Sequence, residues 1–80
     1  MNKAKVLVVD DSAFMRKLIS DFLAEDGDFD VLRPARNGKD AIDKIKEYQP
    51  DVVTMDIEMP VMNGLEALRI IMKECPVPVI

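Results

Sequence analysis

The chain contains no histidine and no tryptophan, a single cysteine and only three glycines in 80 residues. Without an imidazole anywhere, nothing is available to activate Cys75, which reads as a packing residue near a helix end rather than a nucleophile. One cysteine permits no internal disulfide, which fits a reducing compartment. No block of lysines and arginines interrupts the scattered acids, and the formal net charge of −4 argues against a nucleic-acid surface or an anchor on anionic lipid. The start MNKAKVLVV has too short an apolar run for a signal peptide, and no stretch approaches the roughly 20 apolar residues of a membrane span. The expected setting is the cytoplasm, with proteins or small ligands as partners and neither nucleic acid nor membrane.

What is present is ordinary for a soluble globular chain: 49% apolar and 32% charged residues. Eighty residues suffice for one domain only, and a chain of this size buries little more than ~60% of its unfolded surface, so thin stability is expected.

Val6 to Val9 is a β-branched run without alternation, the signature of a strand covered on both faces, as in a parallel sheet. Ser12 or Asp11 can cap a helix over 13–25, in which Met15, Leu18, Ile19 and Phe22 recur at helical spacing before Gly27. Phe29, Val31 and Arg33 alternate as a short, half-exposed strand, followed by Pro34 and the turn pair Asn37-Gly38. A second helix carries Ala41, Ile42, Ile45 and Tyr48 on one face and ends at Pro50. Val52 to Met55 repeats the apolar run, Met59 to Gly64 forms a loop, and Leu65, Leu68, Ile71 and Met72 mark a third helix. Val77 to Ile80 is expected to start a fourth strand, with Pro78 tolerable near its beginning or on an edge. The order β-α-β-α-β-α-β implies an α/β fold, a parallel sheet with flanking helices.

Both apolar runs end on acids: Asp10 and Asp11 after the first, Asp56 after the third. In an open parallel sheet these positions share the carboxyl rim, where such folds bind ligands. Unit charges about 4 Å apart repel by roughly 4 kcal/mol at an effective dielectric near 20, so three converging carboxylates call for a hard divalent cation such as Mg²⁺. The blander reading is helix capping, worth about 0.5–2 kcal/mol. It accounts for Asp11 or Ser12 alone, but not for Asp10 and Asp56 together. No G-x-G-x-x-G follows the first strand, which disfavours a dinucleotide enzyme. The Asn37-Gly38 pair has no second glycine at the spacing of a phosphate cradle. Phosphatases with an aspartyl nucleophile typically separate two Asp by one residue on one strand, and this chain has neither that spacing in its doublet nor Asp at the second position of DIE.

The stretches VLVVDDSAFMR and PDVVTMDIEMPVMNGLEAL resemble the receiver domain of two-component response regulators, in the right order across all 80 residues. Within that family, DDSAFMR and TMDIEMPVMNGLEAL are most similar to the N-terminal receivers of chemotaxis protein-glutamate methylesterases. The resemblance implies a flavodoxin-like fold with strand order 2-1-3-4 for the part present, and residues 1–80 as the N-terminal two-thirds of one receiver. It makes Asp56 the phosphoacceptor and gives Mg²⁺ to Asp10, Asp11, Asp56 and the backbone carbonyl of Glu58. Met59, Pro60 and Gly64 shape the loop, and a histidine kinase is the implied partner. A complete receiver would continue through a Ser or Thr after strand four, a strand ending in Lys, and two more helices. Their absence from these 80 residues implies impaired phosphotransfer, no esterase activity in this chain, and a sheet face covered by the first helix alone. The expectation is an apolar patch on that face, an unpaired fourth-strand edge and a symmetric homodimer. The alternative reading is a self-associating structural half-domain without signalling activity.

Overall fold

The computed structural model describes residues 3–80. Six elements follow in order: β1 Ala4–Val9, α1 Ala13–Asp26, β2 Phe29–Val31, α2 Gly38–Tyr48, β3 Val52–Met55 and α3 Gly64–Glu74. Each helix begins where a short polar side chain can take an orphan amide. Ser12 Oγ accepts the Met15 N–H at 3.2 Å, Asn37 Oδ1 the Asp40 N–H at 2.8 Å, and Asn63 Oδ1 the Glu66 N–H at 2.9 Å. Glu66 reaches back to the Asn63 N–H, closing a capping box. The Asn37-Gly38 pair, expected as a turn, is the cap and first residue of α2. Gly27, at φ 82°, ends α1 in the left-handed region that glycine enters without steric cost.

The strands are parallel in the order β2-β1-β3. Beside β3, Val6, Leu7, Val8 and Val9 of β1 pair with Val52, Val53, Thr54 and Met55. The order 2-1-3 agrees with the flavodoxin-like expectation, but the fourth strand expected over Val77–Ile80 does not form. That segment makes one parallel bridge, Val79 to Val53, with the Val53 N–H donating to the Pro78 carbonyl at 2.9 Å and the Ile80 N–H to the Val53 carbonyl at 2.8 Å. Pro78 has no N–H for the preceding rung, so the ladder does not extend toward Asp51.

Leu7, Val9 and Val53 form one core with Ala41, Ile42 and Ile45 of α2 and Ala67 and Ile71 of α3. These two helices share a face of the sheet, and α1 lies against β1 and β2 on the other. On the α1 side the strand residues Val6 and Val8 are buried, so the apolar patch expected on the sheet lies on the helix instead. The half-buried residues of α1 include Arg16, Ile19, Ser20 and Leu23. Their spacing of three and four residues marks the sheet-facing side. Leu18 and Phe22, expected in the core stripe, are 50% and 73% exposed, and Phe14 is 72% exposed. The helix carries two apolar stripes, and α1 uses only one of them against the sheet. No helix among the described residues is long and apolar enough to cross a membrane.

Candidate functional site

The register of β1 on β3 builds the site. With Val9 beside Met55, the next residues on the two strands are Asp10 and Asp56, and the Asp56 N–H donates to the Val9 carbonyl at 3.1 Å. Asp11 follows on the same rim. One carboxylate oxygen from each of Asp10, Asp11 and Asp56 lies within 4.8 Å of the others. At that limit, and at an effective dielectric of ~20, each pair of ionised carboxylates repels by roughly 3.5 kcal/mol. Among the described residues no lysine or arginine forms an ion pair with any of the three; the ion pairs are Lys17–Asp21, Lys44–Asp40 and Lys46–Glu74.

The donor set fits a hard divalent cation. Oxygens around octahedral Mg²⁺ sit about 2.9 Å apart when adjacent and about 4.1 Å when opposite, from metal–oxygen distances near 2.05 Å. Asp10 keeps one oxygen engaged, since its Oδ1 accepts the Ser12 N–H at 2.9 Å, and its other oxygen is left for the rim. Beside the acids, Asp11, Ile57, Glu58, Met59, Pro60 and Asn63 line an open depression of about 440 Å³.

The loop after Asp56 is held tightly. The Gly64 N–H donates to the Ile57 carbonyl at 2.7 Å, and the Met62 N–H to the Pro60 carbonyl at 2.7 Å. The latter closes a γ-turn around Val61, whose φ of 71° is strained for a β-branched residue. Met59 is buried in the main core and anchors the loop from below, while Pro60 and Val61 face solvent. At Gly64 a Cβ would collide with the Asp56 carbonyl oxygen and sit 2.8 Å from Ile57 Cα. Gly64 therefore lets α3 start against the backbone that carries Asp56.

Three contributors escape a reading by sequence alone. Arg16 Nη1 donates to the Asp10 carbonyl at 2.9 Å. The Asp10 N–H donates to the Ala35 carbonyl at 3.1 Å. The Gly38 N–H donates to the Met62 carbonyl at 3.2 Å, tying α2 to the loop. Only the alignment of Asn37 with a helix start signals the last; the first two depend on tertiary placement.

The response regulator receiver domain family matches residues 6–80, and the chain belongs to that family. Its curated relatives include the protein-glutamate methylesterase/protein-glutamine glutaminase of Geobacillus kaustophilus, 62% identical over 80 residues, and that of Pyrococcus horikoshii, 59% identical over 78. The chain spans 23% and 21% of the lengths of these two proteins, while the matches take in 100% and 98% of the chain. Among solved structures, the response regulator domain of Thermotoga maritima CheB is 50% identical with a TM-score of 0.94, over 98% of this chain and 58% of that one. A chain of the CheX-CheY-BeF3-Mg complex from Borrelia burgdorferi is 34% identical with a TM-score of 0.88, over 95% of this chain and 58% of that one.

Proposed function

We propose that the chain is the phosphoacceptor receiver of a chemotaxis response regulator, with Asp56 as the residue phosphorylated and Asp10, Asp11, Asp56 and the Glu58 backbone carbonyl as the Mg²⁺ site. The observation that carries this is the convergence of three carboxylates, from the ends of two paired strands, within 4.8 Å and without a cationic partner. The identity to methylesterase relatives supports the chemotaxis assignment. The Borrelia CheX-CheY-BeF3-Mg complex supports the metal.

In this reading an Asp56 carboxylate oxygen attacks the phosphorus of a phosphohistidine on a partner kinase. An O–P bond forms, the P–N bond breaks with its electron pair remaining on the imidazole, and that ring takes a proton from solvent. The product is an aspartyl phosphate. When bound, a divalent cation would screen the charge between the incoming phosphoryl oxygens and the carboxylate. Asp10 and Asp11 would hold the cation, and Gly64 and the γ-turn at Val61 hold Asp56 at the rim. The 80 residues form part of a longer receiver, a reading supported by their covering 58% of the Thermotoga domain. The methylesterase chemistry in the relatives' names belongs to other parts of those proteins, and this chain has no histidine to contribute to it.

The test is phosphorylation by phosphoramidate, a small donor with a P–N bond, followed by intact mass with and without Mg²⁺. The wild-type chain is expected to gain, more slowly than a complete receiver, one phosphoryl group that hydroxylamine removes, and Asp56→Asn to gain none while melting normally. Equal labelling of the Asn variant would assign the phosphoacceptor elsewhere.

A second reading, self-association, is favoured by the outward stripe of α1, where Phe14, Leu18 and Phe22 stand at least half exposed. Light scattering at micromolar concentration tests it: a dimer that Phe22→Lys converts to monomer supports it, and a wild-type monomer removes it.

A further inference from the structure

We infer that Arg16 is a positioning residue of the acidic pocket: its guanidinium sets the Asp10–Asp11 peptide plane and so presents Asp11 to a divalent cation. The inference rests on the metal-binding reading above. Between the end of β1 at Val9 and the cap of α1 at Ser12, only Asp10 and Asp11 connect the two elements. Asp10 is fixed on both sides, by its N–H to the Ala35 carbonyl and by its Oδ1 to the Ser12 N–H. Asp11 is exposed, and its carboxylate has no hydrogen-bond partner among the described residues. Its direction is therefore inherited from the peptide that joins it to Asp10.

That peptide is planar, so orienting the Asp10 carbonyl also orients the Asp11 nitrogen and Cα. Arg16 does this from the sheet-facing side of α1, six residues along, with Nη1 at 2.9 Å from the carbonyl oxygen in a half-buried contact. A charged donor makes such a bond stronger than a neutral one. A positive side chain next to a cation site opposes binding by its charge, and the hydrogen bond to the loop is what explains its presence there. Arginine suits the task because its planar fork reaches the carbonyl with few orientations to lose, whereas a lysine ammonium is shorter and less directed.

Arg16→Lys keeps the charge and removes the fork. Isothermal titration of the folded chain with Mg²⁺ alone is the measurement, paired with amide hydrogen exchange at Asp11 and Ser12. Changing groups that orient metal ligands typically weakens metal affinity by 10–100-fold, and a contact made through a ligand residue's backbone belongs at the low end. Arg16→Lys is expected to weaken Mg²⁺ binding about tenfold and to speed exchange at Asp11. Lys17→Gln, which removes a positive charge one residue on at the exposed Lys17–Asp21 pair, is expected to stay within about twofold of wild type, as screening of surface charge implies. An Arg16→Lys chain that binds Mg²⁺ and exchanges like the wild type overturns the inference and leaves the metal site standing. A wild-type chain that binds no Mg²⁺ overturns the metal reading and this inference with it.

Discussion

Substituting Gly64 by alanine sets two physical effects against each other at one atom. Gly64 is the first residue of α3, and Gly64 has no positive φ, so alanine can adopt its backbone. Helix propensity alone favours alanine by about 1 kcal/mol. The added methyl, however, would collide with the Asp56 carbonyl oxygen and stand 2.8 Å from Ile57 Cα. Both neighbours are backbone, and neither can swing aside as a side-chain tip would. Relief requires α3 to retreat from the end of β3, which also strains the Gly64–Ile57 hydrogen bond of 2.7 Å. Overpacking of this kind costs about 1–3 kcal/mol, more where rigid atoms meet, so the net loss is expected at about 1–2 kcal/mol. For a domain of this size that lowers the melting temperature by roughly 4–16 °C. Because the displaced backbone carries Asp56, Mg²⁺ affinity should fall as well. Thermal melting followed by circular dichroism, with and without Mg²⁺, gives both quantities. A Gly64→Ala chain that melts at or above the wild-type temperature, with unchanged Mg²⁺ stabilisation, would refute the close-approach account and leave propensity in charge.

Two other perturbations probe the frame around the site. Asn63→Ala removes the side chain that takes the Glu66 amide at 2.9 Å, and is expected to cost about 1 kcal/mol in a denaturant melt; no loss would mean that water serves the helix end equally well. The Asp40 carboxyl, raised by burial but lowered further by the hydrogen bond from Lys44, the Arg36 N–H and the charges beside it, sits below the ordinary carboxylate value. Its contribution is therefore present above the unfolded-state value and is lost as pH falls through the folded-state one. Since both side chains are partly exposed, the amount is roughly a few tenths of a kcal/mol. Comparing Asp40→Asn with wild type should show a stability gap at neutral pH that closes below about pH 4, and a gap that persists into acid would point to a contact other than the ionised pair.

The sequence by itself determined the alternation of strands and helices, because apolar runs of four and helical spacings of three and four are local patterns that burial enforces element by element. It also determined the acids at the rim. A parallel strand followed directly by aspartate delivers that aspartate to the carboxyl edge whatever else the chain does, and β1 and β3 are both so followed. The motif around Asp56 pointed to the receiver family, which the family match over residues 6–80 bears out.

Tertiary structure decided the rest. The register of Val9 on Met55 makes neighbours of residues 46 positions apart, and nothing local in either strand fixes it. On α1, Met15, Leu18 and Phe22 form as regular a stripe as the one that meets the sheet. Periodicity cannot rank two valid faces; the direction in which α1 leaves Ser12 and crosses to β2 does, and it turns Phe22 to solvent. The expected fourth strand is reduced to a single bridge, Val79 to Val53, beside Pro78, which has no N–H to donate, and only the neighbouring β3 decides how far such a segment pairs. Nothing in the local pattern of α1 marks Arg16. Only the folded chain brings its guanidinium back to the Asp10 carbonyl, because a hydrogen bond across six residues depends on how strand, loop and helix meet and not on the composition of any one of them.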